Sequence, residues 1–251
     1  NLCSLFECEF ERLGGNKCFE LDLVQAVQDA LKASFTRADA ACSTLADSSG
    51  ACAAVAVLLG DNSLVLCHCG DCRVVVQNAS GTVVASADHK ATSEEETARI
   101  QKFGGHVDKY GYAQGEMACA NTIGDADAKS RHPRVFVCEP EVRHIKNLLL
   151  STDDKQDQDH KQDQDHKQEQ EQEPEPEQVA HTSAVVVLAS DGLWDAVSSE
   201  EAVTQARSDL FLDCASDVLA DQSAAASLAA VALRRESADD ITTLVVRVID
   251  R

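Results

Sequence analysis

Residues 184–195 read Ala-Val-Val-Val-Leu-Ala-Ser-Asp-Gly-Leu-Trp-Asp, and this stretch decides the fold class. Ala184 to Ala189 is a run of branched, apolar residues, the pattern of a strand buried in a sheet rather than alternating with solvent. It ends at Ser190, and Asp191-Gly192 then turns the chain polar. A buried strand is rigid, so it can present carboxylates such as Asp191 and Asp195 at a fixed place at its end.

On the C-terminal side of this stretch, Ser198 followed three residues later by Glu201 has the form of a capping box. It opens a helix carrying Ala202, Val203, Ala206 and Leu210 on one face. A second, Ala-rich helix spans about Ala224 to Arg235, and Ile241 to Ile249 closes the chain as a β-branched strand. On the N-terminal side, Val24, Val27, Leu31 and Phe35 recur at helical spacing. Four β-prone runs follow, Ala51–Leu59, Ser63–Cys69, Cys72–Gln77 and Thr82–Ser86, with turn chemistry at Gly60-Asp61-Asn62 and Asn78-Ala79-Ser80-Gly81. These runs are expected to form an antiparallel meander. A helix over Ser93 to Phe103 ends at Gly104-Gly105, and Val135–Val137 and Val142–Leu150 are further candidate strands. Strands and helices are segregated rather than alternating, which predicts an α+β fold with antiparallel sheets.

With 251 residues and 44% hydrophobic content, the chain is long enough for one sizeable core or two small ones. A formal net charge of -21 argues against an electrostatic grip on nucleic acid or on an anionic membrane. No apolar run approaches the length needed to span a bilayer. Part of the charge lies in Asp153–Gln178, where 11 Asp and Glu stand against 3 Lys and Gln156–Lys161 is repeated as Gln162–Lys167. Such a stretch cannot offset its ordering entropy by burial and is expected to be a disordered insert in one folded domain covering residues 1–251.

The 11 cysteines are odd in number and scattered through apolar segments, which suits reduced thiols in a cytosolic or nuclear setting better than a disulfide framework. Cys67-His68-Cys69-Gly70-Asp71-Cys72 looks at first like a zinc site. Strand alternation turns Cys67 and Cys69 to one side and His68 to the other, so these ligands do not converge. By contrast, Asp88, Asp125, Asp191, Asp195 and Asp239-Asp240 sit at strand ends or beside Gly without a Lys or Arg next to them that would neutralise them. Such a set suits a hard divalent cation.

In this order the landmarks resemble the metal-dependent type 2C (PPM) Ser/Thr protein phosphatases: Ser49-Gly50, Gly70-Asp71-Cys72-Arg73, Asp88-His89-Lys90, Arg99-Ile100 with Gly104-Gly105, Gly124-Asp125, Pro140-Glu141-Val142, Ser190-Asp191-Gly192-Leu193-Trp194-Asp195 and Ser237-Ala238-Asp239-Asp240-Ile241-Thr242. The resemblance implies a central β-sandwich flanked by helices in four layers, α/β/β/α. It implies that Asp191 and Asp239 ligate two Mg2+ or Mn2+ ions, with Asp88 and Asp195 joining Asp191 around a weaker third. A metal-activated water would then hydrolyse phosphoserine and phosphothreonine in protein substrates. Thr92–Gln114 matches the flap beside the site.

The sequence departs from the family in lacking an Asp-Gly-His-Gly stretch, whose Asp bridges the metals, and the Arg that grips phosphate. Asn121 stands where an Arg is usual, Cys72 where a Ser is, and Asp240 where an Asn is. The chain starts at Asn1, not Met, which fits a domain cut from a longer protein. The activity is expected of the full-length protein, with little or none from these residues alone. The alternative is a pseudophosphatase that binds partners without hydrolysis. Deleting Asp153–Gln178 is expected to leave the thermal midpoint nearly unchanged in a calorimetric scan, whereas a fall of many degrees would show that the insert packs on the domain.

Overall fold

The computed structural model describes residues 1–13, 23–44, 48–149, 183–212 and 220–249. The acidic insert expected at Asp153–Gln178 lies outside the described residues. Two helices come first, α1 (Leu2–Arg12) and α2 (Leu23–Cys42). In α2, Val27, Ala30, Leu31, Ser34 and Phe35 are the buried set, the face that helical spacing predicts.

The strands form two principal antiparallel sheets and one small pair. One sheet joins β2 (Ala53–Leu59), β3 (Ser63–Cys69) and β7 (Glu141–Ile145) in the order β2-β3-β7. The other joins β4 (Arg73–Gln77), β5 (Val83–Ala85), β8 (Ser183–Ala189) and β9 (Thr243–Ile249) in the order β5-β4-β8-β9. β1 (Gly50–Ala51) pairs with β6 (Ile123–Gly124).

The expected meander of four strands is therefore corrected. β3 and β4 are neighbours in sequence but lie in different sheets, with the chain crossing over at Gly70-Asp71-Cys72. Gly70 holds φ +108°, and a Cβ there would meet Cys52 Sγ at 2.2 Å. Only glycine leaves room for that crossing. Val135–Val137 is likewise not a strand: it makes only isolated bridges, Asn121 with Val137 and Pro133 with Phe136.

Four layers result. Leu64 and Leu66 of β3 meet Val74 and Val76 of β4, Ala184 and Val186 of β8 and Val248 of β9 between the sheets. The opposite face of β3, with Val65, Cys67 and Cys69, packs on Val27, Leu31 and Phe35 of α2. Beyond the larger sheet lie α5 (Asp191–Trp194), α6 (Ser199–Leu212) and α7 (Ala220–Arg234). Val75, Val185 and Val187 pack there against Leu193, Ala202, Val203, Ala206 and Leu228. β8 thus has apolar neighbours on both faces, as its unbroken run requires. A smaller lobe holds α3 (Glu94–Lys102) and α4 (Ala126–Arg131) around Ile100, Ala113, Val135 and Phe136. Ser93 caps α3, its Oγ accepting from the Glu96 N–H at 3.3 Å. Among the described residues no helix is long and apolar enough to cross a membrane.

A buried guanidinium ties the middle of α6 to the sheet. Arg207 is 6% exposed, and its guanidinium donates to Gln77 Oε1 at 2.7 Å and to the Ser183 carbonyl at 2.9 Å. Burial pushes its pKa down. Arg207→Leu strands those acceptors at the end of β4 and the start of β8. A loss of about 2–3 kcal/mol in urea unfolding is expected, and an unchanged midpoint would contradict this account of the α6–sheet contact.

Candidate active site

Strand register gathers the acidic residues at one end of the larger sheet. Arg73 lies opposite Ala189, and Ala189 lies opposite Thr243. In antiparallel strands, the residues preceding Arg73 and Thr243 and those following Ala189 all leave the sheet at the same end. Asp71, Asp191, Asp195 and Asp239 are carried there together. Asp88 arrives from β5, which pairs with β4 through Val75 and Ala85.

Backbone contacts stitch the two C-terminal loops to each other. The Ser190 N–H donates to the Thr242 carbonyl at 3.0 Å. Ser190 Oγ donates to the Asp240 carbonyl at 2.9 Å and accepts from the Thr242 N–H at 3.0 Å. Ser237 Oγ donates to the Gly192 carbonyl at 2.7 Å. A Cβ on Gly192 would sit 2.5 Å from the Asp240 carbonyl oxygen, so glycine is what permits this approach. Asp239 Oδ1 accepts from the Asp240 N–H at 2.7 Å. Trp194 anchors the turn from below, its Nε1–H donating to the Ala189 carbonyl at 2.9 Å.

The electrostatics show a crowd of like charges. Burial pushes the Asp191 carboxyl up, and the negative charges of Asp71, Asp239 and Asp195 push it further, with Lys90 opposing them. The Lys90 ammonium is bonded to Asp195. Burial works against the Lys90 charge, but the hydrogen bond and charge of Asp195 outweigh it, and its pKa goes up.

The expectation that these carboxylates lack neutralising cations is corrected at two positions. Asp195 has Lys90. Asp88 is held bidentately by Arg73, with Nε to Oδ1 at 2.8 Å and Nη2 to Oδ2 at 2.6 Å. The same guanidinium donates to Ser199 Oγ at 3.0 Å and lies 5.1 Å over the Trp194 ring. Arg73 is 15 residues from Asp88 in the chain, and only the β4–β5 hairpin brings them together.

Asp125 takes a different role. It begins α4 in the left-handed region at φ 52°, its carboxylate accepts from Thr122 Oγ1 at 2.6 Å, and it packs against Gly50. The Asn121 amide is spent on the Glu139 backbone, accepting from its N–H at 2.8 Å and donating to its carbonyl at 2.9 Å.

Asp71 is the residue that sequence reasoning missed. The signal was present: like Asp191, it follows a buried strand almost at once and stands beside a glycine. The sequence-adjacent zinc set does not converge. Cys67 and Cys69 face α2, while the His68 ring stacks on His89 with centroids 4.5 Å apart. His68 is fully buried, with Nε2 bonded to the Ala87 carbonyl at 2.7 Å and no partner for Nδ1. Burial first, and then the neighbouring His89, lower its pKa.

Two sheets faced with helices, and an acidic cluster built from loops at one sheet end, define the class: an α/β/β/α protein with its carboxylates gathered at one end of the larger sheet. The family profile for protein phosphatase 2C matches residues 15–241, and the chain belongs to that family. It is 31% identical over 232 residues to "Probable protein phosphatase 2C 27" of Arabidopsis thaliana, covering 88% of this chain and 49% of that one. It is 29% identical to "Probable protein phosphatase 2C 32" of Oryza sativa subsp. japonica, covering 88% and 47%. The chain thus spans about half the length of these curated relatives. Among solved structures, the serine-threonine phosphatase 2C of Toxoplasma gondii superposes with a TM-score of 0.64 at 17% identity, over 100% of this chain and 80% of that one. The four-layer α+β architecture is shared with it.

The raised Asp191 pKa has a definite pH consequence. A carboxyl whose folded pKa lies above its unfolded value takes up a proton more readily in the native state. Its ionised form therefore weakens the fold at pH above both values and costs nothing below both. Asp191→Asn is expected to raise the thermal midpoint of the metal-free chain at about pH 7 and to leave it unchanged near pH 3. Destabilisation at neutral pH would mean that Asp191 is a satisfied structural group.

Proposed function

We propose that this chain is the core of a metal-dependent phosphatase that hydrolyses phosphoserine and phosphothreonine in proteins. The observation that supports it is the convergence of Asp71, Asp191, Asp195 and Asp239 at one sheet end, where burial and mutual repulsion raise Asp191. Keeping such a cluster costs stability, and a cation repays that cost. The donors are all hard carboxylate oxygens, which fits Mg2+ or Mn2+. Asp191 and Asp239 would hold two such ions, with Asp195 and Asp71 placed for a weaker third. Asp88 would first have to leave Arg73. When bound, the cations would polarise a phosphoryl oxygen and a water for in-line displacement.

The chain's own residues supply the placement. The Ser190–Thr242 and Ser237–Gly192 hydrogen bonds keep Asp191 and Asp239 side by side, limiting the reorganisation needed to bind. Arg73, lying over the Trp194 ring, holds Asp88 in a bidentate pair, and this keeps one negative charge out of the cluster. Lys90 provides a cation at the rim where a phosphate dianion would otherwise meet only carboxylates. The α3 lobe, which carries Thr92–Gln114, supplies the flap.

Lys90 seated on Asp195, with Asn121 in place of Arg, favours a second reading, that of a domain that binds phosphorylated partners without turnover. Two measurements separate them. In calorimetric titration with Mn2+, Asp191→Ala and Asp239→Ala are each expected to weaken binding by about tenfold or more, and Cys67→Ser is expected to have no effect. In the whole protein, manganese-dependent phosphate release from a phosphopeptide is expected and should disappear in Asp191→Ala. Metal binding without release would support the second reading, and equal binding by all variants would sink both.

A further inference from the structure

A second set of ligand atoms lies beside the acidic cluster and has a different chemistry. Cys52 Sγ, Cys119 Sγ and an Asp71 carboxylate oxygen all lie within 4.8 Å of one another. Cys52 comes from the link between β1 and β2, Asp71 from the crossover between the sheets, and Cys119 from the segment before β6. The three segments are far apart in sequence, so the set is invisible in any local motif. Cys52 Sγ already donates to Asp71 Oδ1 at 3.1 Å. Cys119 is buried, whereas Cys52 is exposed, so the set has one closed side and one open to entering ions.

We propose that Cys52, Cys119 and Asp71 form a site for a soft or borderline divalent cation such as Zn2+ or Cd2+. Two thiolates select such ions over Mg2+ and Mn2+, and ligand atoms this close need only small side-chain movements to bind at Zn–S of about 2.3 Å and Zn–O of about 2.0–2.2 Å. A water from the exposed side completes a tetrahedron. On binding, the two S–H bonds are replaced by two metal–sulfur bonds and both protons pass to solvent. The cost falls mainly on Cys119. Its thiol sits against the His89 and Asn121 carbonyls at 3.2 and 3.3 Å, and it must turn away from both as it ionises. Gly70 makes the arrangement possible, because any side chain there would occupy the place of Cys52 Sγ. Asp71 belongs to both groups of ligands, so a soft ion bound here would draw it out of the carboxylate cluster. The soft site itself stands whether or not the chain hydrolyses phosphate.

The test uses the fully reduced chain, free of other divalent ions, titrated with Cd2+ and followed by the thiolate-to-cadmium charge-transfer absorption. A band that saturates at one equivalent is expected, and Zn2+ should displace it. Cys52→Ser and Cys119→Ser are each expected to lower Cd2+ affinity by about tenfold or more. Asp71→Asn should weaken binding while leaving the saturated band nearly as strong. Cys3→Ser and Cys67→Ser should change nothing. If Cys119→Ser fails to fold by circular dichroism, the exposed Cys52→Ser decides alone. An undiminished affinity in Cys52→Ser overturns the assignment, as does the absence of a stoichiometric band in the unsubstituted chain.

Discussion

The pairing register of β8 with its two neighbours is the constraint on which the site depends. Arg73 opposite Ala189, and Ala189 opposite Thr243, align the ends of three strands. The loops leaving that common edge carry Asp71, Asp191, Asp195 and Asp239. A slip of one residue would turn Val185 and Val187 toward the other sheet and Val186 toward the helices, exchanging two packed faces at once. Hydrophobic burial on both faces of β8 therefore fixes the position of charges that take no part in that burial.

The same edge shows how the fold manages repulsion. Four carboxylates near one another would disfavour the folded state if all stood unscreened. Lys90 reaches Asp195 from the segment after β5, and Arg73 removes Asp88 by a bidentate pair backed by Trp194 and Ser199. Asp191 is left with burial and three like charges acting in the same direction. The repulsion is concentrated on Asp191, which is the carboxylate that the proposed metal site would use most directly.

The crossover at Gly70-Asp71-Cys72 joins fold and chemistry a second time. Its glycine lets the chain leave one sheet for the other while Cys52 packs where a side chain would have been. Asp71 and Cys52 are brought into contact as a result, and hard and soft ligand atoms meet at a single residue. The local Cys-His-Cys run nearby contributes nothing of the kind, because strand alternation sends its members to opposite faces of β3.

Much was determined by the sequence alone. The unbroken apolar run at 184–189, the 3.6-residue spacing in α2 and the Ser198–Glu201 capping pattern are local patterns, and each produced the element it implied. The ordered landmarks were enough for the family and for Asp191, Asp195 and Asp239 as candidates, since each stands in a recognisable local context. Tertiary structure decided the rest. The assignment of β3 and β4 to separate sheets depends on which distant strands pair with them. The capture of Asp88 by Arg73, the arrival of Lys90 at Asp195 and the inclusion of Asp71 depend on hairpin and register contacts. The meeting of Cys52 with Cys119 depends on three segments folding together. Short-range patterns report backbone conformation and burial, whereas the charge environment of a side chain is set by neighbours in space, which only the folded chain supplies.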